Sequence, residues 1–197
     1  IGGHILSGAV VDTRSLDELL PNWRDEGAPL ELTVAEEVLY WLSERGGVKI
    51  PHAALPACFR QAGNYVVSLG DLCGWLARQA EALGVDIFPG FAATDILFNE
   101  QGAVKGVATG DFGRLHDRSP APNFQPGMEL LGRYTLFAEG GRGYLGKRLI
   151  ERYRLNEGAA PQTYGLGIKE VWEVAPESHH PGHVMHTCGW PLASDTY

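Results

Sequence analysis

Residues 134–149 read YTLFAEGGRGYLGKRL and combine a short apolar run, a glycine-rich turn and the start of a basic helix. The apolar run, residues 134–138, has the length and composition of a β-strand. Within the turn, Gly141, Gly143 and Gly146 match the pattern G-x-G-x-x-G. Glycine lets backbone N–H groups approach a phosphate, and the dipole of a helix N-terminus favours an anion there. The stretch therefore predicts a strand–turn–helix element that either binds a phosphate or forms an ordinary tight turn.

The residues after this element decide which kind of nucleotide site it could form. A first dinucleotide-binding βαβ unit needs a second parallel strand that ends in Asp or Glu about 20 residues later. Residues 154–161, RLNEGAAP, are polar and lack the pattern of a strand. We therefore expect a later strand–glycine–helix element, which closes on a cofactor whose primary motif lies elsewhere.

The composition of the 197 residues, with 44% hydrophobic and 20% charged side chains, is typical of a globular protein. The net charge of −8 and the lack of a basic face predict that nucleic acid is not a partner. Cys58, Cys73 and Cys188 are scattered without a C-x-x-C pair, so we expect free thiols. No run of about 18 apolar residues occurs, so no segment is predicted to span a membrane.

The two ends of the chain suggest a piece of a longer protein. Residues 1–12, IGGHILSGAVVD, begin without methionine inside an apolar and glycine-rich phrase, and the last residues are Asp-Thr-Tyr. The small residues Ser7, Gly8 and Ala9 would let the backbone approach a flat ligand. The alternative is a turn between two short strands.

Residues 33–57 predict a helix followed by a proline-punctuated loop. Thr33 and Glu36 have the spacing of a capping box, and aromatic and aliphatic side chains follow. Tyr40 and Trp41, near Lys49 in sequence, suit a membrane–water interface, where aromatic rings and long cations lie at headgroup level. The alternative is a helix packed in the core and then a surface loop.

The remaining elements follow from periodicity and turn residues. A short helix is expected within 15–24, with Ser15 as N-cap and Pro21 ending it. Further helices are expected from Asp71, as N-cap, to a C-terminal Gly84 and over 144–153. Strands are expected at 64–69 and 85–88, which with the second helix would make a parallel βαβ unit, and at 128–138. A hairpin with its turn at 99–102 is expected within 91–109, then an exposed loop at 110–127. Strands at 162–173 and 183–190 would form a second, antiparallel layer. His179, His180, His183 and His186 have a spacing that fits a loop better than a metal site.

This order of elements is that of FAD-dependent oxidoreductases of the glutathione-reductase type. Phrases in order along essentially the whole chain closely resemble the electron transfer flavoprotein–ubiquinone oxidoreductase family. The matching phrases are residues 2–9 (G-x-H-x-LSGA), 27–30 (GAPL), 63–66 (GNYV), 79–85 (QAEALGV), 104–109 (VKGVAT), 137–140 (FAEG), 161–165 (PQTYG), 189–192 (GWPL) and 196–197 (TY).

The resemblance implies an α/β fold (mixed α+β) with two functional parts. Residues 1–143 would be a partial FAD-binding domain of the glutathione-reductase type, in which residues 38–57 contact the membrane. Residues 144–197 would begin a quinone-binding domain with an antiparallel sheet. The N-terminal G-x-G-x-x-G unit and the cysteines of the iron–sulfur cluster would lie outside this chain, which should not turn over by itself.

The resemblance also implies a function. Such enzymes hold FAD and one [4Fe–4S] cluster, take electrons from reduced electron transfer flavoprotein and pass them to ubiquinone. They lie on the mitochondrial inner membrane or the bacterial cytoplasmic membrane without spanning it. No acid–base residue of this chain is predicted to take part, because the cofactors carry the electrons.

The site residues carried over from the resemblance fall into two groups. Ser7, Gly8 and Ala9 would lie near the flavin ring, Ala92 and Ala93 near the adenine, and Glu139, Gly140, Gly141 and Gly143 near the ribose and pyrophosphate. The quinone and membrane side would include Tyr40, Trp41, Leu55, Gly165, Trp190 and Tyr197. Ser68 stands where the family often has Arg, which removes a charged FAD contact there.

The sequence is compatible with two other functions. One is an FAD-dependent monooxygenase or a geranylgeranyl-reductase-like enzyme, which would share the same order of elements. The other is a non-catalytic module that docks on a membrane through residues 38–57.

Overall fold

The computed structural model describes residues 1–6, 8–56, 59, 61–141 and 143–192. Ile1–Ile87 together with Ile168–Tyr197 form a first compact unit, and Phe88–Gly167 form a second. The predicted division into an FAD-binding part (residues 1–143) and the start of a quinone-binding part (residues 144–197) stays a prediction.

The helices are α1 (Arg14–Leu19), α2 (Leu69–Ala82) and α3 (Tyr144–Tyr153), with 3-10 turns at His52–Ala54 and Pro176–Ser178. The strands are β1 (Gly8–Val11), β2 (Leu32–Thr33), β3 (Glu36–Ser43), β4 (Gly46–Ile50), β5 (Tyr65–Ser68), β6 (Ala93–Phe98), β7 (Val104–Thr109), β8 (Phe112–Arg114), β9 (Pro120–Gln125), β10 (Glu129–Leu131) and β11 (His183–Gly189).

The core of the first unit forms around α2 and an antiparallel sheet of order β1-β5-β2. Leu72 and Trp75, three residues apart on α2, face this core because side chains at that spacing share one side of a helix. They pack with Trp23, Leu30 and Val67, and the indole N–H of Trp75 donates to the Glu26 carbonyl at 3.0 Å.

The ends of α2 correct one prediction and confirm another. Ser68, not Asp71, is the N-cap, and its hydroxyl accepts the backbone N–H of Asp71 at 3.3 Å. The helix therefore begins before the predicted residue. Gly84 follows it with a φ of 85°, a left-handed conformation that glycine adopts readily.

The predicted parallel βαβ unit is wrong. Residues 85–88 are irregular, and both neighbours of β5 in its sheet are antiparallel to it. Val85 and Phe88 remain exposed, and Pro89 and Gly90 follow immediately. Proline lacks the N–H that a central strand must donate, so these four residues end in a turn.

The predicted helix after Thr33 is also wrong, because residues 36–50 form the hairpin β3–β4. Trp41 pairs with Val48 across this hairpin, and Gly46 and Gly47 begin the returning strand. Aromatic and β-branched side chains favour strands, and here a partner strand is available on each side. The pairing of β3 with a strand on each side outweighs the tendency to start a helix that the capping-box spacing indicates.

β11 completes this sheet by pairing in parallel with β3, so that Met185 lies opposite Val38 in an order β11-β3-β4. The strand predicted at 183–190 is confirmed, but the separate antiparallel layer is not found. Residues 162–173 are irregular rather than a strand, and large side chains such as Leu166 and Trp172 are exposed.

The second unit contains the predicted hairpin as β6–β7, to which β10 adds an antiparallel strand. The segment 110–127, predicted as a loop, contains the hairpin β8–β9. Asp111 holds the ends of this hairpin together, since it pairs with Arg114 at 2.5 Å and accepts the backbone N–H of Gly127 at 2.9 Å.

α3 confirms the helix predicted over 144–153. It is fixed to β6 by an ion pair of 2.7 Å between Arg148 and Asp95, and the guanidinium of Arg152 lies 4.0 Å from the ring centroid of Phe98. The strand predicted at 134–138 is wrong: those residues are irregular, and only Glu129–Leu131 of the segment pairs with a neighbour.

The fold is thus a mixed α/β arrangement with small, mainly antiparallel sheets, as predicted in its coarse outline. Across the described ranges, no helix has both the length and the apolar content needed to cross a bilayer.

Candidate functional site

The glycine-rich turn before α3 is organised by Glu139. Its carboxylate accepts the backbone N–H of Leu145 at 3.1 Å and that of Gly146 at 2.6 Å. These are among the N–H groups that the first turn of a helix cannot satisfy internally, and a negative charge is favoured there. Glu139 therefore caps α3 from outside the helix.

This cap decides which part of a dinucleotide the turn can accommodate. A pyrophosphate at the helix N-terminus would have to displace the carboxylate, which already occupies two N–H groups and carries like charge. Each carboxylate oxygen retains a further lone pair, so Glu139 can still accept a hydrogen bond from a neutral donor such as a hydroxyl group. A side chain at Gly143 would also clash with Glu139, since its Cβ would lie 2.5 Å from the Glu139 Cβ.

The neighbouring predicted residues lie in the same unit. Gly140 has a φ of 74° and open space where a side chain would be, whereas a Cβ on Gly141 would lie 3.8 Å from the ring of Tyr164. Ala92 accepts the backbone N–H of Gly110 at 3.0 Å. Ala93 begins β6, opposite Thr109.

Gly8 and Ala9 lie on β1 in the first unit, opposite Ser68 and Val67 of β5. Gly8 and Ser68 line an open, mostly apolar cavity of about 370 Å³. The space that a Cβ on Gly8 would occupy is empty. The Ser68 hydroxyl serves as the α2 cap, which gives this position a structural role in place of a charged contact. Ser7 lies outside the described residues.

The residues predicted on the quinone and membrane side separate into exposed and buried positions. Trp41 is 51% exposed and Val48, opposite it, is 67% exposed. Trp190 is exposed just after β11, and its backbone N–H donates to the Leu42 carbonyl at 3.1 Å. Leu55 is buried and does not contribute to this surface.

The other three predicted residues of this group do not join that surface. Tyr40 is half-buried and, as the neighbour of Trp41 in a strand, faces the opposite side of the sheet. Gly165 lies in the irregular, exposed part of the second unit. Tyr197 lies outside the described residues.

The structure also joins two side chains whose pairing the sequence did not predict. The Nε2 atom of His186 on β11 lies 3.1 Å from Oε1 of Glu37 on β3. Glu37 Oε2 accepts the backbone N–H of Gln61 at 3.0 Å. The two residues are far apart in sequence, so only the register of β3 and β11 reveals the pair.

In the part of the chain that the structure describes, no group of His, Cys, Asp or Glu side chains is assembled that could hold a metal ion. Cys73 and Cys188 are half-buried free thiols, and Cys58 lies outside the described residues. His183 and His186 both lie on β11 and each contacts a glutamate, at 3.3 Å from Glu36 and 3.1 Å from Glu37.

The C-terminal residues of the chain are similar to a known protein family. Residues 164–197 match a family described as "ETF-QO, ubiquinone-binding". This match includes all of β11.

Curated relatives extend the similarity to nearly the whole chain. A probable electron transfer flavoprotein-ubiquinone oxidoreductase of Acinetobacter baylyi is 53% identical, over 98% of this chain and 34% of that protein. The Pseudomonas aeruginosa enzyme of that name is 50% identical, over 98% and 35%. The mitochondrial enzyme of Sus scrofa is 47% identical, over 100% and 32%.

The chain therefore spans about one third of the length of these relatives. Over that third it is homologous to the electron transfer flavoprotein–ubiquinone oxidoreductases, which confirms the predicted resemblance. The relatives are oxidoreductases by name.

Proposed function

We propose that this chain is part of an enzyme that transfers electrons from reduced electron transfer flavoprotein, through FAD and a [4Fe–4S] cluster, to ubiquinone. The observation that carries the proposal is an identity of about one half to such enzymes over the whole chain, joined to the ubiquinone-binding match at its end. The names of these relatives favour this reaction over the FAD monooxygenase and geranylgeranyl-reductase alternatives.

FAD, when bound, accepts electrons and releases them one at a time. In our proposal the first part of the chain, residues 1–143, contributes to its site. Glu139 accepts a ribose hydroxyl while it caps α3, and the open backbone at Gly8 faces the flavin ring. Ala92 and Ala93 would meet the adenine. The pyrophosphate is assigned to other residues, because the α3 N-terminus is already capped.

The cluster is proposed to take its ligands from outside this chain, and none of the three cysteines is assigned to it. The second part, residues 144–197, is proposed to contribute to the quinone side, where Gly165, Trp190 and Tyr197 were expected.

We further propose that the β3–β4 hairpin contacts the membrane surface without crossing it. The exposed pair Trp41 and Val48 supports this, since aromatic and apolar side chains at a hairpin are suited to the headgroup region. Lys49 follows Val48 and pairs with Glu36, which leaves a charged and an apolar side to the hairpin. The membrane would be the mitochondrial inner or the bacterial cytoplasmic one.

The test is an activity assay on the full gene product purified in detergent. It should show a flavin absorption spectrum that bleaches when electron transfer flavoprotein, reduced by its own donor, is added without oxygen. Addition of a short-chain ubiquinone should then restore the oxidised spectrum with formation of quinol. A colourless protein, or a reduced flavin that does not reoxidise with quinone, would contradict the proposal.

A further inference from the structure

The positive charges of the chain are concentrated in the second unit, and within it on α3. Residues 88–167 hold nine of the sixteen Lys and Arg residues but only eight of the twenty-four Asp and Glu residues. The segment 147–154, KRLIERYR, contains four cations and one acid. α3 therefore presents a local positive charge on a chain whose net charge is −8.

Two of the four cations hold α3 in place. Arg148 pairs with Asp95, and the guanidinium of Arg152 lies over the ring of Phe98. Both contacts join the helix to β6, so these two side chains have a structural role within the second unit.

The other two cations, Lys147 and Arg154, are exposed. Among the described residues, neither side chain has an ion-pair partner. Their positions are about two helical turns apart, which corresponds to about 10 Å along the axis. A binding partner with two negative charges at that separation would pair with both.

A groove with a volume of about 910 Å³ lies beside these two cations. The turn after α3 forms one wall of it, since Arg154 has a φ of 52° and the Leu155 N–H donates to the Ile150 carbonyl at 3.0 Å. Exposed apolar and aromatic side chains line the groove, and the only acid among its lining residues is Glu151. The residues are Lys147, Ile150, Glu151, Arg154, Leu155 and Tyr164 among others.

The chemistry of this groove distinguishes the partners named in the proposed function. Ubiquinone is neutral and has no negative charge to offer the two cations. A layer of lipid headgroups is flat and does not fill a groove, and Glu151 would repel anionic lipids. A protein supplies both carboxylates and apolar side chains, and arginine and tyrosine are enriched at protein interfaces.

We propose that this groove and its two cations dock an acidic segment of the protein that donates electrons. The inference rests on the proposed function, under which that protein is electron transfer flavoprotein. Two carboxylates of the donor pair with Lys147 and Arg154, and an apolar side chain between them enters the groove beside Ile150. Exposed ion pairs add little affinity, but charges of opposite sign accelerate the encounter of two proteins.

The experiment uses the full gene product with its cofactors bound, and electron transfer flavoprotein as the probe. Stopped-flow absorption measures the second-order rate constant for reduction of the bound flavin. At about 10 mM salt, Lys147→Glu and Arg154→Glu should each lower this rate constant about tenfold, because the variants lose electrostatic steering. At about 1 M salt, where the Debye length is about 3 Å, they should equal the parent.

Two control variants test the sign and the location of the effect. Glu151→Lys adds positive charge to the groove and should raise the rate constant about threefold at low salt. Arg78→Glu, an equal charge reversal at an exposed position on α2, should leave it unchanged. After chemical reduction of the flavin, every variant should pass electrons to a short-chain ubiquinone at the parent's rate, because the quinone is uncharged.

Each contrary result has a separate meaning. If the parent is reduced by electron transfer flavoprotein and both reversals on α3 retain its rate constant, the donor docks elsewhere while the proposed function stands. The inference is also wrong if Arg78→Glu loses as much as Lys147→Glu, or if Lys147→Glu is faster than the parent. If the parent itself is not reduced, the proposed function falls and the docking surface falls with it.

A vesicle assay separates a protein partner from a membrane. Binding to vesicles with anionic lipid should be the same for the parent, Lys147→Glu and Arg154→Glu. Loss of vesicle binding with an unchanged rate of flavin reduction would assign the groove to lipid and overturn the inference. Should a charge reversal fail to fold, Lys147→Gln and Arg154→Gln decide, each with an expected loss of about threefold at low salt.

Discussion

Trp41 lies directly opposite Val48 across the β3–β4 hairpin, and both side chains are more than half exposed. Because residues opposite each other in an antiparallel pair point to the same face, the two form one apolar surface. The sequence suggested a membrane contact here on the premise of a helix. The structure replaces the helix with a hairpin and retains an exposed aromatic residue.

The substitution Trp41→Asp should weaken binding to vesicles that contain anionic lipid by about tenfold or more. Tenfold corresponds to 1.4 kcal/mol, which is within the transfer free energy of one large apolar side chain. Co-sedimentation with liposomes measures the effect. Leu19→Asp, at an exposed position on α1, is the matched control and should bind as the parent does. Equal binding of Trp41→Asp and the parent would remove the hairpin from the membrane contact.

The Glu139 cap predicts a local loss of stability in α3. Glu139→Ala removes the acceptor for the N–H groups of Leu145 and Gly146, which should cost about 1 kcal/mol, as for a lost N-cap. Hydrogen–deuterium exchange of these two amides measures it, and we expect about fivefold faster exchange. Glu139→Gln keeps one oxygen acceptor, so its amide exchange rates should lie between those of the parent and those of Glu139→Ala. Unchanged exchange in Glu139→Ala would show that the cap does not stabilise the helix.

Gly182 connects β11 to the start of β3. Its carbonyl accepts the N–H of Ala35 at 2.8 Å, its φ is 75°, and a Cβ there would collide with the Thr33 carbonyl oxygen. Gly182→Ala should cost about 3 kcal/mol, since the strain of a left-handed residue and a steric clash add.

Gly158→Ala is the matched control for this substitution, because Gly158 has a φ of 78° and nothing within 4 Å of an added Cβ. It should cost about 1 kcal/mol. Hydrogen exchange of β11 and β3 should accelerate about a hundredfold in Gly182→Ala. In Gly158→Ala, the exchange rates of β11 and β3 should equal those of the parent. Similar exchange in the two variants would show that the close approach to Thr33 is not important.

Asp17 predicts acid sensitivity of the first unit. The indole N–H of Trp23 donates to its carboxylate at 2.7 Å, and this bond, with those from Thr13 and Arg24, holds the pKa of Asp17 below its ordinary value. A lowered folded-state pKa means that the carboxylate contributes stability above about pH 4, and that this contribution is lost as the pH falls through the folded-state pKa.

The variant Asp17→Asn should therefore be less stable than the parent at pH 7, and its stability should change less between pH 5 and pH 3. Unfolding by urea, followed by tryptophan fluorescence, measures both, because Trp23 is buried in the core. Asp25→Asn, at an exposed position in the turn that follows α1, should follow the parent. If the free energy of unfolding falls equally in the parent and in Asp17→Asn between pH 5 and pH 3, Asp17 does not have this role.

The elements predicted correctly are those whose signals are local. α3 and the hairpin β6–β7 follow from a basic amphipathic stretch and from a turn at 99–102, and both are found. The residues around Thr33 misled the prediction because a capping spacing occurs in a segment whose partner strands lie elsewhere. In the candidate site, the glycine pattern predicted a turn before α3, whereas the contact of Glu139 with the N–H groups of Leu145 and Gly146 is known only from the tertiary structure.

The sequence by itself determined the similarity to electron transfer flavoprotein–ubiquinone oxidoreductases, because many short phrases in a fixed order match by chance far less often than a single glycine motif does. It also determined the helices α1, α2 and α3 and the hairpin β6–β7, because their hydrogen bonds join residues close along the chain. Only the tertiary structure decided that β11 lies parallel to β3, and hence that Glu37 meets His186 across a separation of 149 residues. Strand pairing over such distances depends on which edges remain free once the rest of the sheet has formed, and this is not encoded in local periodicity.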